Sequence, residues 1–476
     1  MRSLRLLALL ALVLLAGCAA PTGSVDAPPD DSSNLSDGQR DVQGWENGHW
    51  YNDSLSVDPD DGLDESELDA VVARSMARVE RVRGVEFEND VNVTVVTRSE
   101  YERNAPGSAP SGVDRAFQNV KHRALFLIGD GTDATDLSRQ NTESAVLGYY
   151  DTREDRVVLV SDSETPRVDE ITLSQELYHA YQFRYGNDVE IRAPLSATDD
   201  NVAAVLSLVE GDANLVDDRY ERRCEAEWDC LRPRAGGADA TAGNASRENI
   251  HMGLYLLEYF PYAEGQSYVE SVRERDGWDG VTAEYADPPM STEQVIHGNG
   301  VGGPVPLDLP DRTTADWERI RRSEGGGSTT VGERGLATMF AYTLYDDRNE
   351  TLIDPASFVR RSEGNVSLDY DLKYSNGWGN DLLYAYENDG DTGYVWRVRW
   401  DERADARTFI EGYERLLRYH GATRAGGHWV VDDGPFAGAY YVERRGDTVT
   451  LVNAPSATGV TELYPRAAES IRDGEA

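Results

Sequence analysis

Hydrophobic and polar positions recur along this chain with two periods, and each predicts a different kind of element. Leu68, Val71, Val72, Met76 and Val79 fall at helical spacing behind Asp64, an N-cap with Glu67 three residues on, and Gly84 is placed to stop the helix. Residues 91–96 read as a strand, and so does the apolar run 124–128. Residues 145–160 then give strand, Asp-rich turn and strand. Two helices follow. In 172–183, Leu173, Leu177 and Ala180 form an apolar stripe while Gln175, Glu176, His179 and Gln182 share another face. In 201–216, Val202, Val205, Leu206 and Val209 set the buried side, and Glu210 falls beside Leu206. Residues 250–259 predict a further helix that Phe260-Pro261-Tyr262 should end. Past a Gly- and Pro-rich stretch, 331–344 reads as helix, 393–400 as strand, 404–419 as amphipathic helix, and 428–431, 439–443 and 448–452 as strands. A helix on an antiparallel sheet is the simplest assembly for that part.

The helix 172–183 carries the chain's most informative chemistry. In an H-E-x-x-H helix two histidines one turn apart bind zinc, and the glutamate between them polarises a metal-bound water. Here the five positions read Gln175-Glu176-Leu177-Tyr178-His179. The base and the second histidine are present, but the first ligand is an amide, a weak oxygen donor where zinc prefers imidazole or thiolate. Glu210 offers a third ligand if two antiparallel helices bring it to His179. Partly buried there, its carboxylate needs a metal or a protonated partner. His297 is a further candidate for metal contact.

With two ligands from one helix, a glutamate from the next and Glu210-Gly-Asp-Ala213 at the second site, the chain resembles the gluzincin branch of the zincin metallopeptidases. The strand-turn-strand before the helix looks like the edge hairpin of such domains. Phe260–Val269, Asp276–Gly280 and Pro288–His297 are similar to segments of gluzincin-like surface proteins, a haloarchaeal lipoprotein family among them. The likeness covers roughly residues 64 to 455. It implies an α+β fold: a zincin-like domain over 46–300, with a mixed sheet and active-site helices, then a linker at 301–328, a smaller α+β region at 329–460 and a tail at 461–476. Two catalytic outcomes stay open. In one the centre is silent, with no zinc or a weakly bound one, and the cleft holds a peptide or glycan or serves the envelope. In the other a zinc hydrolase works with Glu176 as base and His179 and Glu210 as ligands. A purely structural envelope component is the third possibility.

Address and composition narrow the setting. Arg2 and Arg5, an apolar run from Leu6 to Leu15, and Leu15-Ala-Gly-Cys18 read as a signal peptide over 1–17 ending at a cysteine to be acylated. The expected mature chain is therefore anchored by lipid on the extracellular face of the membrane, with 18–45 as a disordered tether. Cys224 and Cys230 then suit a local disulfide, which would stabilise the fold by roughly 2 kcal/mol on the chain-entropy argument. The 46 basic residues face 86 acidic ones, for a net charge of -40, and all the basic residues except Lys121 and Lys373 are arginine. Such a surface suits brine, where molar salt shortens the Debye length to about 3 Å, and points to a halophilic, archaeal source. It argues against nucleic acid as a partner, which needs basic patches. Sequons at Asn34, Asn52, Asn92, Asn244, Asn349 and Asn365 fit an exported glycoprotein.

Overall fold

The computed structural model describes residues 42–58, 62–104, 111–161, 167–185, 198–232, 250–298, 300–314, 316–322, 326–346, 348, 350–362, 365–468 and 471. The export segment, Cys18 and the sequons at Asn34, Asn244 and Asn349 lie outside them, whereas Asn52 and Asn92 are exposed. The architecture is mixed α+β.

Strands β1 (Trp45–Glu46) and β2 (His49–Trp50) pair at the start, and Tyr51 beyond them packs its ring 6.3 Å from that of Trp228. Helix α1 (Glu65–Arg83) opens on the capping box of Asp64 and Glu67 and stops at Gly84, whose φ of 80° suits a residue without a Cβ. Strand β3 (Asn92–Thr97) follows, then α2 (Arg98–Asn104), α3 (Gly112–Ala124), α4 (Ala134–Ala145), β4 (Gly148–Asp151) and β5 (Arg156–Ser161). The three strands form one small sheet ordered β3-β5-β4, with β3 parallel and β4 antiparallel to β5, so the expected hairpin is present.

The run 124–128 is not a strand. Helix α3 ends at Ala124, and Phe126 takes a φ of 55° that turns the chain inward. Its ring then stacks on His420 at 4.9 Å and meets Phe436 at 5.1 Å and Tyr440 at 5.7 Å. Continuous apolarity here marks a plug into the core, which periodicity alone cannot tell from a buried strand.

Helices α5 (Glu170–Tyr185), α6 (Asp199–Ala226), α7 (Met252–Glu284) and α8 (Thr292–His297) come next. The expected stop at Phe260-Pro261 does not occur. Helix α7 runs through Pro261 and breaks at Gly277 instead, where φ is 70°. Proline leaves the carbonyl four residues back without its helical donor. That carbonyl belongs to Leu257, and Arg334 Nη1 supplies the missing hydrogen bond at 3.0 Å.

The remainder is α9 (Gly332–Ala341), α10 (Pro355–Phe358), α11 (Arg403–Tyr419), α12 (Ala457–Leu463) and two sheets. The strands of the first are β6 (Glu318–Arg319), β9 (Trp378–Asn388), β10 (Asp391–Trp400), β11 (Thr423–Ala425), β12 (His428–Val431), β13 (Gly438–Arg445) and β14 (Thr448–Ala454). They form an antiparallel sheet ordered β11-β12-β13-β14-β10-β9-β6, and a separate hairpin joins β7 (Val359–Ser362) to β8 (Asn365–Leu368). One apolar cluster joins Phe117, Leu208, Phe260, Phe340, Trp396 and Leu451, so packing is continuous across 301–328. A second gathers α1, β5, α5 and α6 through Met76, Leu159, Leu177 and Val216.

Helices α6 and α7 touch backbone to backbone. A Cβ built on Gly211 would stand 2.2 Å from the Gly265 carbonyl oxygen, and one on Gly265 would stand 2.2 Å from that of Ser207. Neither neighbour is a movable side-chain tip. Gly211→Ala should therefore lose stability by about 1–3 kcal/mol or more through overpacking. Gly112→Ala, at the start of α3 with nothing within 4 Å of its Cβ, should keep the denaturation midpoint or raise it slightly.

Candidate functional site

The site is built where α5 and α6 face each other. Polar contacts between them pair Glu170 with Tyr220, Ser174 with Asp217, Gln175 with Asn214, His179 with Glu210 and Gln182 with the Val209 carbonyl. As one number rises the other falls, so the helices run antiparallel. The start of α5 is clamped by Glu170, whose carboxylate accepts from Arg74 (2.9 Å), Arg78 (2.5 Å), Tyr220 (2.6 Å) and the Leu231 N–H (2.8 Å). Cys224 and Cys230 are bonded as a disulfide with Cα atoms 5.5 Å apart, closing the loop just before Leu231.

His179 and Glu210 meet. Nε2 of the imidazole lies 3.4 Å from Glu210 Oε2, an ion-pair distance longer than a well-formed charge-assisted hydrogen bond. Nδ1 pairs with Gln182 Oε1 at 2.8 Å. Gln182 is held in turn by the Val209 carbonyl at 2.9 Å and the Tyr285 hydroxyl at 2.7 Å. An amide oxygen can only accept, so Nδ1 carries the proton and Nε2 faces Glu210. Burial alone would lower the His179 pKa. Glu210, Glu176 and Gln182 outweigh it and hold it at about 9. At neutral pH His179 is therefore a cation.

Glu176 is buried on the same face, and Gly148 of β4 packs against it so closely that a Cβ there would lie 3.0 Å from Glu176 Cγ. Burial raises its pKa to about 7, with Glu210 adding and His179 opposing. Tyr262 of α7 reaches the two carboxylates. Burial, Glu210 and Glu176 all push its phenol up.

The Glu210-Gly-Asp-Ala213 signature divides its work by direction. Glu210 faces His179 and Gly211 admits α7. Asp212, fully buried, accepts from Arg83 (3.0 and 3.2 Å), Tyr178 (2.6 Å) and Tyr285 (3.0 Å). A polar chain thus runs from Arg83 through Asp212, Tyr285 and Gln182 to His179. Sequence reasoning missed Asp212, Arg83, Tyr178, Tyr285, Asn214 and Tyr262. Asn214 was within reach of it, because the register that sets His179 against Glu210 sets the residue one turn before the first against the residue one turn after the second.

Two expected ligands stand otherwise. Gln175 donates its amide N–H to Asn214 Oδ1 at 3.1 Å. His297 bonds Glu333 at 3.0 Å, with Asp371 and Glu293 as its other charged neighbours, so it belongs to a different cluster. A catalytic zinc takes three protein ligands at about 2.0–2.3 Å. Among the described residues, the group of three or more histidine, cysteine or carboxylate side chains close enough to share a cation is Glu46, Glu80 and Glu86, with none at His179. Glu210 Oε2 is buried without a good hydrogen bond, as a ligand atom in waiting would be. The strong donors nevertheless stop at two, and zinc does not fit.

Residues 318–464 match a protein family described as Domain of unknown function (DUF8575), a segment that starts at β6 and ends with α12. The residues of the site on α5 and α6 precede it. No curated protein matches the chain, and neither does any solved structure.

The electrostatics give a pH dependence with one sign. His179 and His297 both have folded pKa values near 9 against 6.5 for the free group, His297 chiefly through its bond to Glu333. Their stabilisation is complete below about 6.5 and is lost as pH rises through 9. Glu176, raised from 4.5 to about 7, adds to the loss because its buried carboxyl must ionise. The melting temperature in concentrated salt should fall steadily from pH 6 to pH 10, and His297→Gln should flatten the upper part of that curve.

Proposed function

We propose that this chain is a lipid-anchored surface protein whose zincin-like domain no longer holds a catalytic zinc and acts by binding. The observation that carries the reading is the state of the three ligand positions. His179 is a cation paired with Glu210, its other nitrogen is occupied by Gln182, and Gln175 is turned to Asn214. A protonated imidazole has no lone pair for a metal. Glu176 stays in the cleft without a metal-bound water to deprotonate.

A binding role draws support from the rim. Leu147 next to β4, Phe183 at the end of α5 and Tyr262 on α7 are large apolar side chains left 45%, 43% and 39% exposed on elements that carry the site. Ring faces and a carboxyl-lined floor suit a peptide or glycan. The lipobox Leu15-Ala-Gly-Cys18 supports the anchor, and the net charge of -40 supports a salt-rich exterior. Among the described residues no helix is long and apolar enough to cross a membrane.

Elemental analysis of protein purified in high salt without chelator should find zinc far below one per chain, together with no peptidase activity on a mixed peptide pool. Stoichiometric zinc with peptide cleavage would end the silent reading. Cys18→Ser should move the protein from the membrane fraction to the medium, read by immunoblot of the two fractions.

A further inference from the structure

Helix α7 breaks at Gly277, and the residue just past the break collects three guanidinium groups. Gly277 takes a φ of 70° and a ψ of -170°. Gly280 folds back so closely that a Cβ there would stand 2.3 Å from the Asp276 Cβ. The turn sets Trp278 partly buried against both apolar clusters, which makes its ring a fixed platform. Arg83, Arg219 and Arg273 lie over that ring, with Cζ atoms 4.3, 5.6 and 5.6 Å from its centroid. The quadrupole of an indole attracts a cation held there.

The three differ in what else they bond. Arg83 is committed to Asp212 and to the Thr282 hydroxyl. Arg219 on α6 and Arg273 on α7 are partly buried, and the Nε of each is enclosed without a hydrogen-bond partner. Among the described residues neither forms an ion pair. Of the acids whose charge reaches Arg219, Asp218 pairs with Arg222 at 2.7 Å and Glu270 pairs with neither arginine. Burial, and then the charge of Arg273, lowers the Arg219 pKa, so the two cations stand near enough to repel. A guanidinium does not shed its proton in a protein, and the repulsion is not relieved that way.

The helix contact explains the convergence. Arg219 and Arg273 each stand about two turns beyond the glycines that touch, Gly211 on α6 and Gly265 on α7. Two long side chains from neighbouring helices are thereby brought to one ring and braced on it. They lack an acceptor that can serve both forks. A carboxylate fills one fork, whereas a tetrahedral dianion has oxygens for two. In molar salt, where exposed charges are screened beyond about 3 Å, only such direct bonds keep a preference.

We infer that Arg219 and Arg273, braced on Trp278, form a binding site for a tetrahedral oxyanion, a sulfate or phosphoryl group, separate from the cleft between α5 and α6. Equilibrium dialysis of the full chain with radiolabelled sulfate or phosphate tests it, at an ionic strength held constant with potassium chloride. Wild type should bind one saturable equivalent of at least one of the two, and the tighter names the group. Arg219→Gln and Arg273→Gln should each weaken binding roughly 10 to 100-fold, the usual worth of a hydrogen bond to a charged group. Arg219→Lys keeps the charge without the fork and should weaken it too. Arg275→Gln, which removes a neighbouring arginine already paired with Asp276, should leave binding unchanged. Circular dichroism shows that each variant keeps its fold. Uptake that never saturates, or that falls equally in Arg275→Gln, means an adventitious ion only and overturns the site. Undiminished binding in a folded variant lacking both Arg219 and Arg273 overturns it as well, and acetate competing as strongly as sulfate overturns the tetrahedral assignment.

Discussion

The contact on which the site depends is made by two glycines. Gly211 and Gly265 let α6 and α7 meet with no side chain between them, at a separation that any Cβ would forbid. Dispersion rises steeply as surfaces close, and this contact also fixes rotation: Glu210 faces the cleft on one side of it and Asp212 faces the interior on the other. The contacts that α6 makes with His179 and with Arg83 depend on that placement. A helix turned by one residue would bury Glu210 without His179 and leave Asp212 without Arg83.

A chain with a large excess of acid keeps much of its order through arginine. Arg74, Arg78 and Arg83 are almost wholly buried on α1, where they meet Glu170 and Asp212. Guanidinium suits this work because its planar fork holds a carboxylate by two bonds and is only weakly hydrated. Lysine, strongly hydrated and short of donors in a plane, is nearly absent from the sequence. The acids outside are a solvation layer. Glu170 and Asp212 inside are structural anchors, each surrounded by donors from several elements.

Much of the architecture was legible in the order of residues. Periodicity and short apolar runs found α1, α5, α6, α9, α11 and strands β3, β4, β5, β10, β12, β13 and β14. They failed where tertiary context decides. Residues 124–128 are apolar throughout, and only tertiary context makes them a plug led by Phe126 instead of a strand. Strand β9 alternates weakly, since both its faces are largely covered, and it went unseen. In the site, the residues with recognisable chemistry were found, and of those that hold them Gln182 was placed on their face while the others were not. Tyr178 and Tyr285 look like ordinary core aromatics until the fold gathers them.

Pro261 sets a condition on how this protein can be divided. The carbonyl it leaves bare, on Leu257, is bonded by Arg334, and the same guanidinium reaches the Asp199 carbonyl at 3.3 Å. Arg334 lies within the segment 318–464 that recurs as a family, while both of its acceptors lie before it. A fragment cut at that border would keep a buried cation with nothing to bind, and the other fragment would keep a helix with an open wound in its middle. The stretch that matches the family is thus shorter than the stretch whose groups close this part of the interior.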